Sequence, residues 1–379
     1  MKIYEKFPKI TEIFPINSVG ITTARDHFVI DHDKNRLLNR IRLFRNSKYS
    51  DDELLSFFRL NKSKGWNIRK AWNALQSISD SELKEFLQPV LYRPFDIQWI
   101  FYHDSLIERP RREVMRHMLK ENLGLVITRQ TGQSGLGPVF VSDTIIEARS
   151  IIFASSVSYL MPLYLYQEKN NPKRRSLSNI MMLFETDSNY GDKKPNLSSA
   201  LTSNLAKEYK NTPSPEEIFF YIYAVLYSNI YREKYEEFLK IDFPRVPFTK
   251  NYKQFKKMGE YGEKLMNLHL LESPDLDPPS ARFQGKGNNK VEKLRYEKGG
   301  LYINDDQYFE GISLDVWEYK IGGYQVCDKW LKERKGRILT VEEIKKCCEI
   351  VTALKKTIET QEKIDKIYPE IEKEIIDKP

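Results

Sequence analysis

The chain has 379 residues, of which 40% are hydrophobic and 30% charged, and its net charge at pH 7 is +8. This length exceeds one small core and fits two or three packed units, and the hydrophobic content excludes a wholly disordered chain. The excess of basic residues favours a polyanionic partner without identifying it.

Secretion, disulfide bonding and membrane insertion are all disfavoured by the sequence. The three cysteines, Cys327, Cys347 and Cys348, have no CxxC spacing, so they support neither a disulfide framework nor a structural zinc site. The start "MKIYEKFPKITEIF" lacks the apolar core of a signal peptide. The longest apolar run, Ile218 to Tyr227, is about half of the roughly 20 residues that span a bilayer. We expect a soluble, cytoplasmic protein that does not bind membranes.

The first predicted unit, residues 1–88, begins with one or two short strands over residues 20–33 and continues with helices. The helical face of the next segment carries Leu37, Leu38, Ile41 and Phe44. A second helix is predicted from Ser50 and Asp51 toward Leu60. Near-helical spacing then places Trp66, Ile68, Trp72, Leu75 and Ile78 in a core.

The second predicted unit, residues 89–212, has the strongest strand pattern. "VLYRPFDIQWIFYHD" is rich in strand formers around a proline, and a basic helix is predicted over "RPRREVMRHMLKEN", with Pro110 in its first turn. "LGLVITRQTGQSGLGPVFVSD" predicts two strands around a polar loop, and "ARSIIFASSVSYLMPLYLYQ" predicts further strands. Residues 167–215 are predicted to be long loops or an insertion with a little local structure.

The third predicted unit, residues 213–379, is helical with a small β part. Ser214 and Glu217 have capping-box spacing around Pro215, and a second helix is predicted across "YKQFKKMGEYGEKLMNLHLLE". Strands are predicted at "KLRYEKGGLYIND" and "DVWEYKIGGYQV", followed by a long helix from about Thr340 to Lys366. The predicted class is therefore α+β, a mixed fold with a helical portion and a long C-terminal helix.

The search for an active site finds only weak matches. The glycine loop Gly132 to Gly137 has neither a Walker nor a Rossmann spacing, and it is either a flexible hairpin loop or a base-reading loop with Arg129 and Gln130 at its mouth. A metal-dependent nuclease site drawn from Asp275, Glu333 and Lys335 would place an acid in a proline-rich linker. "NPKRR", residues 171–175, lacks the aromatic residue that a methyltransferase stacks on a flipped base.

Basic clusters interleaved with amides and aromatic residues are the more informative signal. Lysine and arginine release counterions from DNA, whereas asparagine, glutamine and arginine can read base edges. Four such clusters lie at Arg109 to Arg116, at Lys173 to Arg175, in "RFQGKGNNKVEKLRYEK" and at Lys329 to Arg337. Each cluster alone fits a solvated face, but the four together favour nucleic acid. The candidate DNA-contacting residues are Arg111, Arg112, Arg129, Gln130, Lys173, Arg174, Arg175, Gln284, Lys286, Asn288, Asn289, Lys290, Lys332, Arg334 and Lys335.

Six motifs, in this order, resemble the C-terminal specificity region of type ISP restriction and modification enzymes. They are "VLYRPFDIQWIFYHD", "PRREVMRHMLKENLGLVITRQ", "YLMPLYLYQ", "FFYIYAVLYSNIYREKYEEFLKIDFPRVPF", "LMNLHLLE" and "YKIGGYQVCDKWLKERKGRILTVEEI". The resemblance implies a mixed α and β fold that recognises a short target in double-stranded DNA. It implies that methyltransferase and helicase or nuclease domains act as partners, and that adenine methylation and restriction depend on them.

The resemblance also implies that this chain is not an enzyme by itself and binds no cofactor. The complete enzyme would use S-adenosylmethionine, ATP and magnesium. Two alternatives stay open: a structural coupler or subunit-docking module, and a cryptic metal-dependent nuclease that uses Glu333 and Lys335.

The stretch "IGGYQVCDKWLKERKGR" predicts a strand, a turn and a basic helix. Trp330 is expected to pack in the core. Lys332, Arg334, Lys335 and Arg337 are expected to face outward toward phosphates.

Overall fold

A computed structural model describes residues 3–61, 65–129, 139–151, 156–167 and 192–376. Over these residues the chain alternates helices with small, mostly antiparallel sheets, and a long helix ends it, which confirms the predicted α+β class. The predicted glycine loop and the "NPKRR" segment lie outside the described residues.

The α-helices are numbered in chain order. They are α1 (Ile10–Ile13), α2 (Asp26–Val29), α3 (Lys34–Asn46), α4 (Asp51–Phe57), α5 (Ile68–Gln76), α6 (Asp80–Glu85), α7 (Arg112–Met115), α8 (Ser199–Tyr209), α9 (Pro215–Tyr227), α10 (Asn229–Lys234), α11 (Glu236–Leu239), α12 (Tyr252–His269), α13 (Leu314–Glu318), α14 (Val326–Lys332) and α15 (Val341–Ile371). Short 3-10 helices lie at Tyr4–Lys6, Arg116–Leu119 and Pro274–Leu276.

The strands form three four-stranded sheets and two two-stranded ladders. They are β1 (Ser18–Val19), β2 (Ile30–Asp31), β3 (Leu87–Arg93), β4 (Asp96–Phe101), β5 (Gly124–Thr128), β6 (Val139–Ser142), β7 (Ile145–Ile146), β8 (Ser158–Pro162), β9 (Tyr164–Tyr166), β10 (Lys193–Pro195), β11 (Arg282–Gln284), β12 (Arg295–Glu297), β13 (Gly300–Tyr302), β14 (Tyr308–Glu310), β15 (Lys320–Ile321) and β16 (Tyr324–Gln325). The four-stranded sheets have the orders β1-β8-β5-β6, β2-β4-β3-β7 and β11-β14-β13-β12.

Local sequence signals account for where the main helices begin. Ser50, Ser214 and Thr340 each cap a helix through a complete capping box, as their spacing to an acidic residue predicts. Pro215 occupies the first turn of α9, where its missing N–H costs nothing. These caps satisfy N–H groups that have no partner inside the helix, so they set its first residue.

Two hydrophobic cores hold the sheets and helices together. The first core packs sheet β2-β4-β3-β7 against α3, α5, the small sheet β11-β14-β13-β12 and the first half of α15. The second core packs α8, α9 and α12 against one face of sheet β1-β8-β5-β6 and the end of α15. The first core draws residues from all three predicted units, and the unit boundaries stay a prediction.

A buried ion pair joins the hairpin β3–β4 to helix α14. Asp96 Oδ1 accepts a hydrogen bond of 2.6 Å from Arg334 Nη2, and the two side chains are 0% and 4% exposed. The Arg334 guanidinium lies 3.5 Å from the centre of the Trp330 ring, and Trp330 Nε1 donates to the carbonyl of Phe95 at 3.3 Å. Trp330 is 1% exposed, which confirms that it packs in the core.

The charge of Asp96 is retained despite its burial. Burial alone would raise the pKa of this carboxyl, but the positive charge and hydrogen bond of Arg334 outweigh it and lower the pKa. Gln98 Nε2 also donates to Asp96 Oδ2 at 2.7 Å. The hairpin and the helix are therefore held by a charged contact in which both Asp96 oxygens accept hydrogen bonds.

Three local predictions were wrong. Helix α7 and the 3-10 helix that continues it span Arg112 to Leu119 of the predicted basic helix, but Pro110 lies before the first turn, because the N-cap Arg111 has a left-handed backbone with a φ of 51°. Leu314–Glu318 is a short helix where a strand was predicted, and Ser199–Tyr209 is a helix inside the predicted loop region. Helix α8 (Ser199–Tyr209) is capped by Ser198, and it buries Leu201 and Leu205 in the second core.

Helices long and apolar enough to cross a bilayer are absent from the described part of the chain.

Replacement of Arg334 by methionine should destabilise the fold by about 3 to 5 kcal/mol, because Asp96 would be left as a buried, unpaired charge. Urea unfolding measures the change. Lys332→Met is the matched control, since Lys332 is exposed and forms a surface ion pair with Asp328 one turn earlier. The double variant with Asp96→Leu should be more stable than Arg334→Met alone, and equal stability of Arg334→Met and the wild type would refute the role of the pair.

Acid should destabilise the fold in part through His269. Burial lowers the pKa of His269 to about 3, and this ring lies 2.7 Å from the Tyr223 hydroxyl and 3.0 Å from the Thr357 hydroxyl. Between the ordinary histidine pKa of about 6.5 and that value, the unfolded chain binds a proton that the folded chain does not. Stability is therefore lost as the pH falls from about 6.5.

In unfolding titrations near pH 5, His269→Gln should reduce the slope of stability against pH by about 1.4 kcal/mol per pH unit. An unchanged slope would show that His269 does not contribute.

Candidate nucleic-acid interface

Two of the predicted basic clusters lie side by side. The segment after β11 runs along the segment after α14: Gly336 N donates to Val291 O at 2.7 Å, and Leu339 N donates to Asn289 O at 2.9 Å. Exposed or half-buried polar side chains from both segments therefore share one surface. We call it the C-terminal basic patch, and it consists of Lys286, Asn288, Lys290, Lys332 and Lys335.

The lysines of this patch differ in how they are paired. Lys332 forms an ion pair of 2.7 Å with Asp328, and Lys290 lies 3.7 Å from Glu292. Lys286 and Lys335 are exposed. The surface ion pairs of Lys332 and Lys290 are weak and exchange easily for a phosphate contact.

Two amide residues of the predicted interface also hold the patch in shape. Asn289 N donates to Gln307 Oε1, and Gln307 Nε2 donates to Asn289 Oδ1, each at 2.8 Å. Gln284 Nε2 donates to Glu310 Oε1 at 2.7 Å. Gly285 has a φ of +93°, and a Cβ there would lie 2.0 Å from the carbonyl oxygen of Asp306. The loop after β11 is thus fixed by its own side chains and by one glycine.

Arg334 does not face outward, contrary to the sequence-based expectation. It is 3% exposed, because its guanidinium is stacked on Trp330 and paired with Asp96. Arg337 is also paired, with Glu343 at 2.8 Å. Of the basic residues in this helix and the turn that follows it, Lys332 and Lys335 are the exposed ones that remain in the patch.

Three of the candidate arginines, Arg111, Arg112 and Arg129, belong to the second predicted unit, and two of them are paired within the chain. Arg112 forms an ion pair of 2.5 Å with Asp104 and lies over the Tyr102 ring at 4.7 Å. Arg129 follows β5 and forms an ion pair of 3.1 Å with Asp242. Arg111 is half-buried at the start of α7. Gln130, Lys173, Arg174 and Arg175 lie outside the described residues, so the structure does not place them.

A polar cleft of about 760 Å³ lies beside the C-terminal basic patch. Its walls come from residues 22–27, from β3 and β4, and from residues 147–149, and Glu333 lines its edge. Glu333 lies next to Lys332 and two residues before Lys335, so the cleft and the patch adjoin. Sequence reasoning missed this cleft, because its walls come from segments spread between Thr22 and Glu333.

The side chains of the cleft form an internal network of charges. Arg93 Nη1 lies 3.3 Å from Glu147 Oε2, and the Arg93 guanidinium lies over the Tyr92 ring at 4.1 Å. The Tyr92 hydroxyl donates to Asp26 Oδ2 at 3.1 Å. Burial raises the pKa of Glu147, and this effect exceeds the opposite influence of the Arg149 amide and of Arg93. Burial has the opposite effect on His32, because the charged form of an imidazole is the protonated one, and it lowers the pKa of His32 to about 4.

The cleft also adjoins the end of β5. Thr128 pairs in register with Ser158, and Val157, which precedes Ser158, lines the cleft. Arg129 follows Thr128, but its side chain pairs with Asp242, and neither residue lines the cleft. The end of β5 therefore lies near the cleft, whereas the Arg129 guanidinium is engaged elsewhere.

The cleft is suited to binding and does not resemble a metal site. The described residues contain no group of three or more His, Cys, Asp or Glu side chains that could hold a metal ion. The two acids of the nuclease hypothesis have different surroundings. Asp275 pairs with Lys264 at 2.5 Å and does not line the cleft, whereas Glu333 does. The arrangement offers hydrogen-bond donors, acceptors and a ring, which can recognise a polar ligand.

A protein-family model described as the Type ISP C-terminal specificity domain matches residues 12–363 of this chain. Among the curated proteins, none matches the sequence.

Three solved structures share the fold at low sequence identity. The cryo-EM structure of a DrdV–DNA complex is 20% identical, with a TM-score of 0.70 over 93% of this chain and 36% of that chain. A nuclease-deletion mutant of the Type ISP restriction-modification enzyme LlaGI with a DNA substrate mimic is 17% identical, with a TM-score of 0.63 over 95% of this chain and 29% of that chain. The ATP-dependent Type ISP enzyme LlaBIII bound to DNA is 17% identical, with a TM-score of 0.69 over 95% and 24%. The chain thus spans about a quarter to a third of their lengths.

Replacement of Asn289 by alanine should destabilise the fold by about 1 to 3 kcal/mol, because Gln307 Nε2 loses its acceptor Asn289 Oδ1 and because alanine tolerates the left-handed backbone at this position, with a φ of 60°, less well than asparagine. Urea unfolding should find Lys286→Ala, on the same loop, within about 0.5 kcal/mol of the wild type. Equal stability of the two variants would contradict a structural role for Asn289.

Proposed function

Because this chain belongs to the Type ISP C-terminal specificity domain family, we propose that it recognises a DNA target for a restriction-modification enzyme. The observation that supports this function best is the joint surface of the C-terminal basic patch and the polar cleft. It places exposed lysines beside a concave region with hydrogen-bonding groups.

The two parts of this surface do different work. Lys286, Lys290, Lys332 and Lys335 contact phosphates, release counterions and set the position of the duplex, whatever its sequence. Amide and charged groups of the patch and the cleft contact base edges, which carry the sequence information.

The methylation and restriction steps belong to other domains. We infer that this chain is not catalytic alone, and that it directs adenine methylation and restriction by methyltransferase and helicase or nuclease partners. Those partners would bring S-adenosylmethionine, ATP and magnesium to the complete enzyme. A cytoplasmic location fits this role.

The alternative role, a subunit-docking module, finds less support in the last helix. Helix α15 buries apolar residues in both cores, from Cys347 in the first to Ile371 in the second. That helix stabilises its own chain, so a partner domain would need another surface. A coupler would associate stably with a partner and leave no footprint on DNA.

Lys286→Glu combined with Lys335→Glu should weaken binding to every duplex alike, and the slope of log affinity against log salt should fall by about one per lysine. The measurement is a binding titration over a salt series, with a selected duplex and a scrambled one. Lys253→Glu, an exposed lysine on α12 outside the patch, is the matched control.

Loss of affinity confined to the selected duplex would overturn the positioning role of these lysines. Wild-type affinity that is equal for the selected and scrambled duplexes at all salt concentrations would overturn target recognition itself.

A further inference from the structure

Three polar side chains in the cleft are more than nine-tenths buried and still have atoms available for a ligand. Arg25 is 4% exposed, Gln98 is 6% exposed and Glu147 is 6% exposed, and all three line the cleft. Their bonds to the rest of the protein hold them in place. Such rigid, desolvated groups discriminate more strongly than flexible surface side chains.

The bonds that fix these side chains occupy only part of each group. Arg25 Nη1 donates to the carbonyls of Thr23 and Leu106, at 3.0 and 2.6 Å. Gln98 uses Nε2 toward Asp96, and Glu147 uses Oε2 toward Arg149 N and Arg93 Nη1. Within the part of the chain that the structure describes, Arg25 Nη2, Gln98 Oε1 and Glu147 Oε1 are left without a partner. The cleft therefore presents one donor group and two acceptor oxygens.

The cleft also offers a flat surface. The Arg93 guanidinium is backed by the Tyr92 ring at 4.1 Å, and a planar guanidinium supported in this way can stack on a nucleobase. Arg93 Nε is buried and has no hydrogen-bond partner among the described residues. A flat ligand in the cleft would lie against this plane.

The charges around the cleft disfavour a polyanion inside it. Arg25, Arg93 and Arg149 are balanced by Asp26, Glu147 and Glu333. The volume lies within the roughly 300 to 1,000 Å³ range of small-ligand sites, and it is too small for a duplex. A neutral, planar group with donors and acceptors on its edge fits these constraints, and the exposed Arg149 at the rim can contact an attached phosphate.

We propose that the polar cleft receives one nucleobase rotated out of the bound duplex, and that this base carries an exocyclic amino group. Gln98 Oε1 and Glu147 Oε1 accept from the amino group, and Arg25 donates to a ring nitrogen or carbonyl oxygen beside it. The proposal rests on the proposed DNA recognition and adds a second readout, which the exposed lysines do not provide.

The test uses mismatches, because a base without a proper partner leaves the stack at lower cost. A duplex selected for tight binding to the 379-residue chain is remade with one mismatch at each position, by changing only the opposite base. At one position the mismatch should tighten binding about tenfold or more, whereas mismatches elsewhere should weaken it or leave it unchanged.

Val157→Trp fills the mouth of the cleft without removing a hydrogen bond, since Val157 is 38% exposed and lines the cleft. This variant should abolish the tenfold gain. Leu43→Trp is the matched control, because Leu43 is 49% exposed on α3 and does not line the cleft, and it should keep the gain. Thermal unfolding of both variants checks that they are folded.

A second variant tests the individual contact. Glu147→Gln keeps the size of the side chain and an oxygen for Arg149 N, but it replaces the other oxygen with an amide donor. The gain should stay at the same position, and the preferred base there should change by about tenfold. An unchanged preference would overturn the role of Glu147.

The nucleobase site would be overturned if a mismatch tightened binding at no position, or if the tighter binding persisted in Val157→Trp. If sequence-dependent binding remains in that case, the proposed function stands and only the further inference fails. If the selected and scrambled duplexes bind equally, both fail.

Discussion

The buried ion pair between Asp96 and Arg334 is the contact on which the surface of this protein depends. It joins residues 238 positions apart, and both side chains are shielded from water. Burial of a charge is costly unless the geometry is good and further hydrogen bonds are made, and here Gln98 donates to Asp96 and Arg334 donates to the carbonyl of Trp330. Because α14 cannot move away from β4 without exposing or unpairing these charges, the basic turn that follows α14 is held against the strand-rich part.

This constraint explains why the basic patch and the cleft meet. The turn after α14 carries Glu333 into the cleft and Lys335 onto the patch, while its backbone pairs with the loop after β11. Gln98 takes part in both regions: its amide nitrogen supports Asp96, and the residue lines the cleft. The anchoring contact and the candidate recognition site therefore share a side chain, so a substitution at Gln98 affects stability and recognition together.

Within the predicted basic clusters, several arginines are paired inside the chain, whereas two lysines remain exposed. Arg112, Arg129, Arg334 and Arg337 all pair with carboxylates of the same chain, because the planar guanidinium forms two directed hydrogen bonds and tolerates desolvation. Lys286 and Lys335 remain exposed, since a compact ammonium is strongly hydrated. A count of basic residues thus overstates the charge available to DNA, and the burial of each residue decides whether it can contribute.

The sequence by itself determined the features that depend on a few neighbouring residues. The capping boxes at Ser50, Ser214 and Thr340, the strands on either side of Pro94 and the buried face of α3 follow from such short-range patterns, as does the resemblance to the Type ISP specificity region. Helix α8 escaped prediction because its signal is a weak apolar spacing within a polar stretch. Only the tertiary structure decided that Arg334 points inward, that the loops after β11 and α14 adjoin, and that Arg25, Gln98 and Glu147 face one cleft. The reason is physical: a cap or a turn is satisfied within four residues, whereas a buried charge is satisfied by a partner whose position in the sequence is not restricted.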